Sequence, residues 1–310
     1  MIIGHKKIWN LLKSSAELDK LPHALLFIGQ EKLGKKKLAI EFLKFLNCSD
    51  SDKEKKPCQT CKNCRDIEKN QYPDVFLITP QEKEIRISQI RDLQWNISLK
   101  PYLSSIKAVV IDQAHLMNPD AQSSFLKTLE EPKGSTIIIL ISEYPDMLLP
   151  TIRSRCETIK FYPVEKKEML EFLAKNKISR EGMAGGKGIF FDNPGSVMEF
   201  LSDPHKSSSR EKYLQEITDV SKSDLASRFQ YAKELAGKPE ELDDILKLWL
   251  NYYRNTLLSA VGSKDSVAKD TRYSTEKLSK IINLIQQTHF LLTTTNINTR
   301  LALEIIMLEI

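Results

Sequence analysis

No stretch of the chain reaches the ~18 consecutive apolar residues that a membrane-spanning helix requires. The opening MIIGHKKIWNLLKSSAELDKLPHALLF also lacks the basic, then apolar, then small-residue order of a secretory signal. A soluble, cytoplasmic protein with no membrane partner is therefore expected. Cysteine is scarce, with five in 310 residues, and in a reducing compartment thiols serve as metal ligands or core groups rather than disulfides. Charge of one sign is lacking too: 46 Lys and Arg against 41 Asp and Glu leave a net +5. The lysines are spread along the chain rather than gathered with aromatic residues, which argues against a stand-alone zinc-containing nucleic-acid-binding protein. Internal repeats and long low-complexity tracts are absent.

What is present describes a globular chain. Hydrophobic residues at 41% and charged residues at 28% are ordinary values, and the length suits two or three domains. Short apolar runs alternate with helical patterns through the first half. ALLFIG (24–29) leads into KKKLAIEFLKFL, where Leu38, Phe42 and Leu46 keep helical spacing. DVFLITP (74–80), KAVVID (107–112) and STIIILIS (135–142) follow, separated by ISQIRDLQWNISL and NPDAQSSFLKTLEEP. Strands apolar at successive positions, alternating with helices, predict an α/β fold with a parallel sheet covered on both faces. Past residue 162 the pattern offers no comparable strand. Residues 164–175 read as helix, 181–196 as a Gly-rich connection, SDPHKSSSREK as a boundary, and everything from 208 as helix. The expected division is a nucleotide-fold domain over 1–162, a small helical domain over 163–205 and an all-α domain over 206–310.

The turn after the first strand nearly spells a phosphate loop. Gly29, Gly34 and Lys35 fit G-x-x-x-x-G-K, but the next position, which should hold a magnesium-binding Ser or Thr, is Lys36. Backbone N–H groups and a helix N-terminus there suit an anion. The bland alternative is a Lys-rich helix start in an unrelated α/β turn. Asp112, closing AVVID, is the carboxylate candidate for a metal, and Gln113 occupies the position where hydrolysing relatives of this architecture carry a water-activating Glu. An amide takes no proton from water, so both stations predict a nucleotide fold without catalysis.

Cys48, Cys58, Cys61 and Cys64 form C-x9-C-x2-C-x2-C. Four thiolates at such spacing suit a tetrahedral structural Zn2+ within a module over 47–66. An iron–sulfur cluster and free or redox-active thiols remain as alternatives. Cys156 stands apart.

Taken together, PHALLFIG, the four cysteines, AHLMNPDAQSSFLKTLEEP, LLPTIRSRC and NINTRLALE resemble the delta-prime family of bacterial DNA polymerase III clamp-loader subunits, which are AAA+ proteins. The resemblance runs from about residue 5 to the end. LKTLEEP (126–132) and Ser154-Arg155-Cys156 are its most particular parts. It implies an AAA+ P-loop-type domain, a helical lid and a helical collar that joins gamma/tau and delta subunits in a hetero-pentameric ring. Through that complex the subunit would meet the sliding clamp and primed DNA, as part of a DNA-directed DNA polymerase holoenzyme. By the same resemblance Arg155 is an arginine finger offered in trans, where the plain alternative is an Arg in a surface turn paired with Glu157 or another carboxylate, and Gly29, Gly34, Lys35 and Asp112 are a vestigial site where ATP binding is doubtful and independent ATPase activity is not expected. An active gamma/tau-like ATPase subunit is the alternative, opposed by Lys36, Gln113 and Met198, the last standing where such relatives carry a lid Arg. Other conspicuous residues have plain readings. His23 and His115 read as packing residues and Glu130 and Glu131 as a helix end. Trp249, Tyr252 and Tyr253 read as collar core or interface.

Overall fold

The computed structural model describes residues 3–82, 84–104, 106–132, 134–175, 194–195, 204–261, 273–295 and 297–310. These fall into two compact units, one extending to Lys175 and the other holding the C-terminal helices.

The first unit is a five-stranded parallel sheet wrapped by helices. Its strands are β1 (Ala24–Ile28), β2 (Val75–Ile78), β3 (Lys107–Ile111), β4 (Thr136–Ser142) and β5 (Glu157–Lys160), in the order β2-β3-β4-β1-β5. The helices are α1 (Lys6–Glu17), α2 (Lys35–Asn47), α3 (Lys62–Glu68), α4 (Ile87–Ser98), α5 (Pro119–Glu130), α6 (Pro150–Arg153) and α7 (Lys166–Lys175). Successive strand residues point to opposite faces, which explains the unbroken apolar runs. Leu25, Phe27, Val110 and Ile139 pack with Leu38 and Phe42 of α2, while Leu26, Val109, Ile138 and Leu140 pack with Ile90 of α4 and Phe125 of α5. The α/β fold expected from the sequence, a parallel sheet covered on both faces, is thus present. Helix α5 starts where the sequence says it must. Asn118 accepts from the Ala121 amide at 2.9 Å, and Pro119 takes the first helical position.

One strand was not foreseen. β5 is an edge strand in which only Ile159 is buried, so it carries no apolar run to betray it. Of the expected lid over 163–205, only 163–175 (with α7), Pro194 and Gly195, and the first two residues of the next helix are described; most of the Gly-rich 181–196 stretch and Met198 lie outside the described residues.

The second unit contains α8 (Pro204–Val220), α9 (Leu225–Ala236), α10 (Pro239–Ala260), α11 (Thr275–Thr294) and α12 (Thr299–Glu309). Side chains cap three of them: Asp224, Ser274 and Asn298 accept from the amides of Ser227, Lys277 and Leu301. Leu246, Trp249 and Tyr253 of α10 meet Ile281 and Ile285 of α11 and Leu303 and Ile306 of α12 in one core. No helix among the described residues is long and apolar enough to cross a membrane.

Trp249 is fully buried, yet its indole N–H has no hydrogen-bond partner among the described residues. An orphaned buried donor opposes the gain from burying the ring. Trp249→Phe is therefore expected to lose no more than about 1.5 kcal/mol in denaturant unfolding, against about 3–5 kcal/mol for Trp249→Ala. A Phe loss equal to that of Ala would show that the N–H is satisfied.

Candidate functional site

The carboxyl ends of the strands gather two groups of interest, the loop after β1 and the residues after β3, while a third, the segment leading into β5, lies at the opposite, amino end of the parallel sheet. In the loop, two glycines meet two different demands. A Cβ on Gly29 would lie 2.5 Å from the Phe161 carbonyl oxygen, so only glycine fits beside the backbone that follows β5. Gly34 has open space around it but sits at φ 91°, in the left-handed region that glycine adopts without strain. Gly34 supplies no side-chain cap to α2, so the helix presents bare N–H groups to the loop. The loop is also tied to the 194–195 segment, where the Gly195 amide donates to the Lys32 carbonyl at 2.9 Å.

Lys35 turns inward. Its ammonium donates to the Gly29 carbonyl at 2.6 Å and to the Gln30 carbonyl, and only 6% of the residue is exposed. Burial pulls its pKa from 10.5 down to about 8. Lys36 turns the other way and forms an ion pair with Asp112, Nζ to Oδ2 at 3.1 Å. The second Asp112 oxygen accepts from the Gln113 amide at 3.1 Å. Gln113 itself adopts a left-handed conformation at φ 51°. Because β4 lies between β1 and β3, Lys36 spans the end of one strand to reach the carboxylate of the next. Where a metal-binding loop would supply a hydroxyl oxygen, this chain supplies an ammonium to the same carboxylate.

Arg155 follows α6. Its guanidinium is about one-third exposed, with Nη2 2.7 Å from Glu130 Oε1 and Nη1 donating to the Thr151 carbonyl at 3.0 Å. The fold thus joins the two most particular sequence motifs, since Glu130 closes the α5 segment LKTLEEP and Arg155 is the centre of the Ser-Arg-Cys triplet. Glu130, read from the sequence only as a helix end, is also the finger candidate's ion partner. Among the described residues, the partners of Arg155 lie in its own turn and in α5, not in the phosphate loop. Cys156 is buried, and burial raises its thiol to about 12, as suits a core atom.

The four cysteines of the 47–66 segment converge, with every Sγ within 4.8 Å of the others. A tetrahedron with metal–sulfur bonds of about 2.3 Å has edges of about 3.8 Å, so the donor set and its dimensions fit a four-thiolate Zn2+. Backbone amides already point at the sulfurs. The amides of Cys58, Cys61 and Cys64 approach the Sγ atoms of Cys48, Cys58 and Cys61 at 3.4, 3.3 and 3.4 Å. Such N–H···S contacts favour thiolates over thiols. The Thr60 hydroxyl, with the Cys61 and Thr60 amides, draws the Cys58 thiol down to about 6.

The remaining residues flagged from sequence are structural neighbours of these groups. His23 bonds the Leu129 carbonyl at 3.1 Å, and His115 meets the Ser142 hydroxyl at 3.3 Å and the Tyr144 ring edge-on.

Residues 4–165 match the family described as DNA polymerase III, delta subunit. The chain is 32% identical over 268 residues to DNA polymerase III subunit delta' of Bacillus subtilis, covering 84% of this chain and 79% of that one. It is 37% identical over 151 residues to the delta' subunit of Pseudomonas aeruginosa, covering 48% of this chain and 45% of that one. Against DNA polymerase III subunit tau of Escherichia coli the identity is 32% over 155 residues, half of this chain but 24% of tau.

The buried Lys35 gives a pH test. Below about 8 both folded and unfolded chains keep its proton; between about 8 and 10.5 the unfolded chain holds a proton that the folded chain has released. Stability therefore rises with pH across that window. Lys35→Met removes this linkage, so the stability of the wild type relative to the variant is expected to grow from about pH 7.5 to about pH 9.5. A difference that is flat or falls over the same interval, measured by urea unfolding, would contradict the assignment.

Proposed function

Since the chain belongs to the delta-prime family of DNA polymerase III clamp-loader subunits, we propose that it is the catalytically silent member of an AAA+ ring that loads the sliding clamp onto primed DNA. The observation that carries the silent assignment is the Lys36–Asp112 ion pair. Magnesium in a nucleotide site takes oxygen ligands. Here the position of the hydroxyl ligand is a cation, and the carboxylate is already matched to it. Gln113 supports the same reading because it offers no base to an attacking water. A motor subunit of the tau kind would need a hydroxyl at 36.

In this proposal the subunit contributes to a neighbour's reaction through Arg155. The guanidinium, about one-third exposed, is held by Glu130, ready to exchange a carboxylate for the γ-phosphate oxygens of ATP on the adjacent gamma/tau subunit. Its planar fork suits bidentate contact with phosphate. The collar supports the seam. On α12, Leu303 and Ile306 are buried in their own unit, whereas Leu301, Ile305 and Leu308 are 57, 51 and 58% exposed at helical spacing. That second stripe is the docking face for helices of neighbouring collar domains, delta among them. Cys48, Cys58, Cys61 and Cys64 would hold a structural Zn2+, whose bonds supply folding free energy to a segment with little core of its own. The lid over 163–205, the collar over 206–310 and a cytoplasmic location complete the reading.

Arg155→Ala tests it in the reconstituted complex. The Arg155–Glu130 pair is partly exposed, so folding stability should change by no more than about 0.5 kcal/mol. Turnover at the one site served in trans should fall by about 10³, with clamp loading falling alongside. Arg155→Lys should recover little of it. Normal assembly with unchanged ATP turnover and clamp loading in the Ala variant would remove the finger from the account.

A further inference from the structure

Both short spacers of the cysteine run reach back to helix α2. Between Cys61 and Cys64, the Asn63 amide donates to the carbonyl of Asn47 at 2.8 Å, one residue before the first cysteine. Between Cys58 and Cys61, Gln59 does more. Its backbone sits at φ 63°, a left-handed conformation uncommon for a long unbranched side chain. From there its amide nitrogen donates to Glu41 Oε2 at 2.6 Å and its amide oxygen accepts from Lys44 Nζ at 3.0 Å. Lys44 also donates to Glu41 Oε1 at 3.0 Å, closing a three-membered ring of contacts, and pairs with Glu68 of α3.

This ring is unusual in its burial. Glu41 and Lys44 lie on α2 at 7% and 3% exposure. Charged residues are seldom so enclosed unless each is fully partnered. Gln59 itself is exposed at the surface, and its head group completes the partner set of both charges. A primary amide suits this place because it offers a donor to the carboxylate and an acceptor to the ammonium at once. The contacts hold the Cys58–Cys61 turn against the helix while the backbone amides hold the sulfurs toward one another.

The geometry points to Gln59 as a positioning residue that fixes the four-thiolate site against α2 and slows loss of its metal, with the Glu41–Lys44 pair as its anchor. This inference rests on the zinc reading above. It assigns no coordination to Gln59, whose contribution is made outside the ligand set.

The test uses the full chain and a chromogenic chelator, with metal content measured first on protein purified without added zinc. About one zinc per chain is expected. Gln59→Ala is expected to release zinc about tenfold faster than wild type. Gln59→Glu, which sets a second carboxylate against Glu41, is expected to release it faster still. The paired exchange Glu41→Gln with Gln59→Glu restores one amide, one carboxylate and the acceptors of Lys44, and should return release to within about threefold of wild type. That rescue separates positioning from general loosening of the loop. If zinc is absent from the wild type, the zinc reading fails and takes this inference with it. If zinc is present and either Gln59→Ala releases it at the wild-type rate or the paired exchange leaks as fast as Gln59→Glu alone, Gln59 does not position the site and the zinc reading stands.

Discussion

A single ion pair, Lys36 to Asp112 at 3.1 Å, is what the proposed reading depends on. As a source of stability it is minor, since a half-exposed pair contributes about 0–1 kcal/mol. Its consequence is chemical. Asp112 sits where the carboxyl ends of a parallel sheet gather ligands, and the ammonium from α2 supplies in the folded chain the positive charge that a divalent ion would bring from outside. Lys35 completes the arrangement by turning onto the Gly29 and Gln30 carbonyls. The loop thus keeps the shape of a phosphate cradle while its two lysines satisfy groups of the protein itself.

The sheet makes this possible because its central strands are buried on both faces. β1, β3 and β4 are held by apolar packing above and below, so the loop after β1 and the carboxylate after β3 stay within reach of one lysine across the end of β4. The same rigidity fixes α5 and α6, whose ends bring Glu130 and Arg155 together. At the far end of α2, the cysteine segment docks on the helix that begins at the phosphate loop.

Much of this was legible in the sequence, and the rest was hidden for identifiable reasons. The strands at 24–28, 107–111 and 136–142 announce themselves because double burial favours apolar residues at successive positions. β5 does not, since an edge strand with one buried side chain needs no apolar pattern. The cysteine cluster is readable because ligand spacing is local. The Gln59 contact with Glu41 and Lys44 is not, because it depends on a left-handed backbone angle and on a charge pair buried against helical expectation. The substitution at 36 reveals what the loop has lost, whereas the partner of Lys36 lies 76 positions away and only the strand order brings it near. Glu130 and Arg155 are joined in the same way, through tertiary structure alone.

The claim on which the account depends is that this chain has no hydrolytic chemistry of its own. Its most direct measurement is steady-state ATP hydrolysis by the purified, isolated chain with magnesium present. The account predicts no turnover above the protein-free background. Turnover of about one per second or faster, in the range of ordinary enzymes and abolished by Lys35→Ala, would contradict it.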